Sequence, residues 1–159
     1  MKPSVSFAMK RTEVFLGKPL RGGESNVYHV RLNTVNNKWT RNVHEVWETN
    51  EKVIKLNSPI IHNSTDSIAD FLEKLNDYST KNAEQYFNEK VIVYWWDLLL
   101  YPTGKFLQLY IVKRGFLDGT HGFVHAMMMS FHSFLTRGKL WLLYKRNPES
   151  ISQIIKSHS

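Results

Sequence analysis

The sequence predicts an α/β chain in which a few strands, within residues 1–64, are followed by a helical carboxy-terminal section. Three observations predict it. Gly22-Gly23 leads into Val27 to Leu32, a short extended-type run closed by a polar turn, Asn33 to Lys38. From Ser67 onward the apolar residues fall at helical rather than alternating spacing. The last third is rich in aromatics, Leu and Met, carries basic residues between them, and is punctuated by glycine between Gly115 and Gly122.

Trp39 to Trp47 reads as the strand returning after the polar turn. Pro59 interrupts the next extended piece, Lys55 to His62, with Ile60 and Ile61 expected to be buried. Ser67 followed by Asp70 resembles a capping box, and Ile68, Phe71, Leu72, Leu75 and Tyr78 then mark one helical face. The spacing predicts a helix from about Ser67 to Lys90, with Glu73, Lys74, Asp77, Lys81 and Glu84 on its solvated side. Two or three more helices follow, with a bend at Gly119, and the polar tail after Asn147-Pro148 is expected to fray. The boundaries read 1–66, 67–147 and 148–159.

With 159 residues, of which 42% are hydrophobic and 13% aromatic, the chain has material for a core of one ordinary domain. Lys plus Arg number 21 against 14 Asp plus Glu, a formal charge of +7 that favours anionic partners: phosphates, nucleic acid or anionic lipid headgroups. No cysteine is present, which excludes disulfides, zinc-thiolate sites and thiol nucleophiles and fits a reducing cytoplasm. Lys2, Lys10, Arg11 and Glu13 break the amino-terminal apolar run, so no export signal is expected there. No window reaches the roughly 20 apolar residues of a membrane span. Val91 to Tyr101 is broken by Asp97, and Phe123 to Leu135 contains His125 and His132. The reading is a chain that lies on a membrane without crossing it.

Four constellations bear on chemistry. His44-Glu45, at a predicted strand end among Val43, Val46 and Trp47, offers a carboxylate whose apolar neighbours would suit it to take a proton from a sugar hydroxyl; the bland alternative is a polar strand end. His62, 17 positions after Glu45, is a competent ligand for a divalent metal or donor to a diphosphate oxygen, or merely a hydrogen-bonded histidine. His121, His125 and His132 share one helical face, yet Gly122 stands where a zinc-protease glutamate would be, so a polar stripe on an apolar helix is preferred to a metal site. From Trp95 to Arg146, basic residues interleave with Trp95-Trp96, Tyr110, Trp141 and Tyr144. That composition suits a membrane surface, a nucleic acid, or an aromatic core with a basic rim. Phosphate-loop, dinucleotide and esterase signatures are absent from the sequence.

Taken in order, Arg31-Leu32, Trp39, Val43-His44-Glu45, Ile61-His62, Lys74 and Tyr78, Lys113-Arg114-Gly115-Phe116-Leu117-Asp118-Gly119 and Gly122-Phe123 resemble the carboxy-terminal half of family-two glycosyltransferases related to lipopolysaccharide-core glucosyltransferases. The resemblance runs from about Phe7 to Tyr144, and the Lys-Arg-Gly-Phe-Leu-Asp-Gly string is its most specific element. It implies a remnant of a GT-A-type sheet holding the acceptor side of the catalytic domain, and an amphipathic helical section behind it. It also implies a nucleotide-sugar donor, a divalent cation (Mg or Mn), and a cell-surface glycan or glycolipid acceptor. Glu45 would be the general base with His44 beside it, His62 a metal or diphosphate contact, and Arg31 an anion contact. Lys113 and Arg114 would meet a phosphorylated or lipid-linked acceptor or the membrane surface, while residues 116–119 fix a turn.

The sequence contains no Asp-x-Asp, the metal motif that such enzymes carry in a preceding donor-binding half. The expectation is therefore a truncated frame or one part of a split enzyme, inactive without a donor-binding partner and marginal in isolation. A peripheral membrane-binding or scaffolding module is the competing reading. A nucleic-acid binder ranks last, having no recognition motif.

Overall fold

A computed structural model describes residues 5–23, 25, 27–33, 39–40, 46–47 and 52–149. A small sheet comes first and helices follow, so the fold is α/β and then helical. Strand β1 (Val5–Phe15) is central. It turns through Leu16 and Gly17, both at positive φ, into the antiparallel β2 (Lys18–Pro19), the geometry of a tight two-residue hairpin. It also pairs antiparallel with β3 (Val27–Asn33) and parallel with β6 (Lys52–Thr65).

The expected return strand takes a different form. Trp39–Thr40 (β4) pairs antiparallel with Val46–Trp47 (β5) as a separate two-stranded ribbon, so these two short strands pair with each other and not with β3. Strand β6 is longer than the predicted Lys55 to His62. It tolerates Pro59 through an irregularity: Met9 pairs with Leu56 and Arg11 with Ile60, leaving Asn57, Ser58 and Pro59 opposite Lys10.

Ile61 is a correction. It is 69% exposed, because it pairs with Thr12 on the sheet face opposite Phe15, and it is the Phe15 face that meets the helices.

Helix α1 (Ile68–Asn88) starts as predicted, with the Ser67 hydroxyl accepting from the Asp70 N–H at 3.0 Å. Its buried seam is shifted from the predicted stripe. Phe71 and Leu75 are inside, but the seam continues through Ser79, Asn82 and Ala83, while Ile68, Leu72 and Tyr78 are exposed. The polar seam residues have partners on the last helix, α3 (Thr120–Arg146): Lys139 Nζ donates to Ser79 Oγ at 2.8 Å, and His132 Nε2 lies 3.5 Å from Asn82 Nδ2. Between them come α2 (Asp97–Leu107), a π-helical turn (Gln108–Val112) and a 3₁₀ turn (Gly115–Asp118). Two core clusters form. One joins Phe15 and Leu20 of the sheet region to Phe71 and Leu75 of α1, and the other joins Ala83 to Leu140 and Tyr144.

A polar clamp reinforces the first cluster. The buried Asp118 carboxylate accepts from the Arg21 N–H at 2.8 and 3.0 Å and the Gly22 N–H at 2.8 Å, while Gly23 N–H donates to the Lys113 carbonyl at 3.0 Å. These are charge-assisted bonds to main chain. The close approach requires glycine: a Cβ on Gly22 would lie 2.5 Å from the Arg114 carbonyl oxygen. The turn that residues 116–119 were expected to fix is therefore also the tie between the helices and the sheet. Gly119, at φ +62, opens α3.

Candidate functional site

The parallel register sets His62 of β6 directly beside Glu13 of β1. Arg11, two residues earlier on β1, shares Glu13's face. The three side chains meet. Glu13 Oε1 lies 3.1 Å from His62 Nδ1, and Glu13 Oε2 lies 2.9 Å from Arg11 Nη2 and 3.1 Å from Arg11 Nε.

Arg11 Nη2 also comes within 2.9 Å of His62 Nδ1. A guanidinium has only protons to offer, so Nδ1 cannot accept from Arg11 and donate to Glu13 at once. Donation to Glu13 is the consistent assignment, because a bare Nδ1 lone pair would otherwise face the carboxylate. The Arg11 approach then follows from its pairing with the same carboxylate. Glu13 is 8% exposed, and Arg11 supplies the countercharge that burial demands. Its main chain is held on both sides: its N–H donates to Ser25 Oγ at 2.9 Å, and its carbonyl accepts from the Leu20 N–H at 2.8 Å.

His62 is the exposed member, with its side chain 47% accessible. Nε2 has no hydrogen-bond partner among the described residues. A carboxylate fixing one imidazole nitrogen while the other faces outward is the arrangement that orients metal-binding histidines.

Not every expected residue joins this cluster. His44 and Glu45 precede β5 directly and lie outside the described residues. Arg31 sits where β3 slips against β1: Val30 pairs with Ala8 and Leu32 with Phe7, leaving Arg31 as the bulge residue. Five residues of β1 separate Ala8 from Glu13, so the Arg31 main chain is about 17 Å along the sheet from His62. Lys113 and Arg114 belong to the clamp, where they contribute main-chain carbonyls. Arg114 takes a left-handed conformation at φ 56 with its side chain exposed.

The histidine face of α3 is structural in its contacts. His125 is buried edge-on to Phe15, with ring centroids 5.2 Å apart, and His132 faces Asn82. Among the described residues no group of three or more His, Asp or Glu side chains is placed to hold a metal ion.

Glu13 and Arg11 were missed as site residues, entering only as charges that break the amino-terminal apolar run. Their signal was parity. Arg11, Glu13 and Phe15 alternate along one strand face, and a carboxylate on the face of a core phenylalanine needs a partner.

No family model matches the chain, and no solved structure matches it.

Proposed function

We propose that this chain is the acceptor-side, carboxy-terminal part of a family-two glycosyltransferase, transferring a sugar from a nucleotide-sugar donor to a cell-surface glycan or lipopolysaccharide-core acceptor. The donor-binding half lies outside this sequence, and turnover requires it. The observation that carries the reading is the Glu13-oriented imidazole of His62, with Arg11 neutralising the carboxylate behind it.

Within this scheme Glu45, with His44 beside it, takes the proton from the acceptor hydroxyl. The freed oxygen attacks the anomeric carbon as the bond to the diphosphate breaks, and the electron pair leaves with the diphosphate. His62, through Nε2, is the residue on this chain that would hold the divalent cation or a diphosphate oxygen. A Mg or Mn ion, when bound, neutralises the leaving group. Arg31 meets an anion farther along the sheet, and Lys113 and Arg114 meet the phosphorylated or lipid-linked acceptor.

The test has two arms. The purified chain, titrated calorimetrically with nucleotide-sugars and manganese, is expected not to bind them; clear metal-dependent binding would place a donor site here and overturn the missing-half argument. Complemented with an Asp-x-Asp-bearing donor half, the chain should transfer sugar. Glu45→Gln should then abolish turnover with donor binding nearly intact, and His62→Ala should weaken metal dependence by about 10- to 100-fold. Turnover retained in Glu45→Gln would remove the base assignment, and unchanged manganese dependence in His62→Ala would remove the metal role.

A further inference from the structure

Helix α3 is inside out. Its buried residues are Gly122, His125, Ala126, Ser130, Thr136, Leu140 and Tyr144, mostly small or polar. Its exposed large side chains are Phe123, Met127, Phe131, Phe134 and Leu142. Proteins surrounded by water place large apolar groups inside, whereas helices packed within lipid meet through small residues and turn large ones outward.

Helix α2 repeats the pattern, having no buried residue. Trp96, Leu99, Leu100 and Leu107 recur at helical spacing on its outward side, with Leu99 63% and Leu100 64% exposed. The stripe continues into the π-helical turn, where Val112 is 75% exposed. Ring contacts of Phe123 with Phe106 at 5.8 Å and with Tyr110 at 5.7 Å join the two helices' surfaces. Apolar area of this extent on a folded chain marks a binding surface.

Charge indicates what covers it. Between Trp95 and Arg146 the basic residues are Lys105, Lys113, Arg114, Arg137, Lys139, Lys145 and Arg146, against only Asp97 and Asp118; Asp118 is buried in the clamp and Lys139 is bonded to α1, which leaves six basic residues against one acidic. Basic pairs stand near both ends of the apolar surface: Lys113-Arg114 after the π-helical turn, and Lys145-Arg146 at the end of α3. Lys145 Nζ lies 4.5 Å over the Trp141 ring, so ammonium and indole share one site as they do where a helix meets lipid headgroups. Among the described residues no helix is long and apolar enough to cross a membrane.

We infer that the outward face of α2, the π-helical turn and α3 is a docking surface for an anionic lipid bilayer. The apolar side chains enter the headgroup boundary, and the flanking lysines and arginines meet lipid phosphates. This goes beyond the transferase reading and does not depend on it.

The test is flotation of the full chain with vesicles of phosphatidylglycerol and phosphatidylcholine, beside vesicles of phosphatidylcholine alone. Binding should favour the anionic vesicles by about tenfold or more and weaken with salt without vanishing. The double substitution Leu99→Asp with Leu100→Asp, at exposed positions and checked for folding by circular dichroism, should cut binding by at least tenfold. Brominated lipid should quench tryptophan fluorescence in the parent and not in the double variant. Absence of flotation, or a folded double variant that floats like the parent, would overturn the inference. So would a parent that forms a dimer dissociated by the same double substitution while ignoring vesicles, which would give this face to a second copy. None of these readouts requires sugar transfer, so failure here leaves the transferase reading standing, and loss of that reading leaves this one.

Discussion

Gly122→Ala is expected to loosen the helices from the sheet, although alanine is the better helix former. Gly122 lies in α3, where alanine alone would gain about 1 kcal/mol. Against that, the added methyl would land on the Gly115 carbonyl oxygen, 2.9 Å from the Gly115 carbonyl carbon and 3.0 Å from Asp118 Cβ. These are main-chain atoms and the root of a buried side chain, so no flexible group can yield.

Overpacking of this kind costs about 1–3 kcal/mol. Pushing the 3₁₀ turn aside also stretches the Asp118 bonds to Arg21 and Gly22, each worth about 1.5–3 kcal/mol when the acceptor is charged. Even partial loss of those bonds outweighs the propensity gain, leaving a net destabilisation of about 2–4 kcal/mol. For a chain of this size that is a fall of roughly 4–16 °C in Tm.

Gly104→Ala is the internal control. Gly104 is also helical, but no atom of the described residues lies within 4 Å of its Cβ position, so alanine there should stabilise by up to about 1 kcal/mol. Thermal melts followed by circular dichroism read both. Equal melting of Gly122→Ala and parent, or stabilisation by both substitutions, would refute the close approach of turn and helix.

Two further outcomes follow from buried polar atoms. Asp118→Asn keeps one acceptor oxygen but points an amide donor at main-chain N–H groups, so it should cost about 2–3 kcal/mol and raise amide exchange in residues 18–23; a melt within 2 °C of parent, about the smallest shift one kcal/mol produces, would count against the clamp. Among the described residues the buried Tyr144 hydroxyl has no hydrogen-bond partner, and burial pushes its phenol above the ordinary 10.0. Tyr144→Phe should therefore stabilise by about 1 kcal/mol at neutral pH. The folded state holds this proton more tightly than the unfolded state does. Its contribution is thus fully present below about pH 10 and is lost as pH rises through the folded pKa. The stability difference between variant and parent should widen at alkaline pH, as urea melts would show, and a constant difference would remove the burial argument.

What was legible in the sequence was periodicity with a local cause. The Ser67 cap, the following helix, the Gly119 bend and the order of strands before helices all rest on residues within a few positions of one another. What was not legible needed a partner distant in the chain. Ser79 and Asn82 replace Tyr78 in the α1 seam because Lys139 and His132 lie opposite, 60 and 50 positions away. Ile61 was expected inside because isoleucine normally is, and whether a helix covers its sheet face is decided elsewhere. The candidate site divides the same way. His62 stood out by residue type, whereas Glu13 and Arg11 became visible only once the parallel register brought β1 beside β6.

The most distinctive string in the sequence, Lys113 to Gly119, and the least distinctive residue of the site, Glu13, reverse the usual expectation about motifs. In the string, the Gly115 carbonyl lies where a Cβ on Gly122 of α3 would fall, Arg114 accepts a left-handed backbone, and Asp118 is consumed by amides of residues 21 and 22. Arg114, Gly115 and Asp118 are constrained by geometry, which is enough to make a string specific whether or not it touches a substrate. Glu13 is constrained by its partners alone. An alternating strand accepts many residues at that point, and only the imidazole and guanidinium facing it make a carboxylate the stable choice. The distinctiveness of a motif therefore measures how tightly the backbone is packed around it. The capacity for chemistry is better sought where a buried charge is held by partners while one polar atom among them, here His62 Nε2, still faces outward.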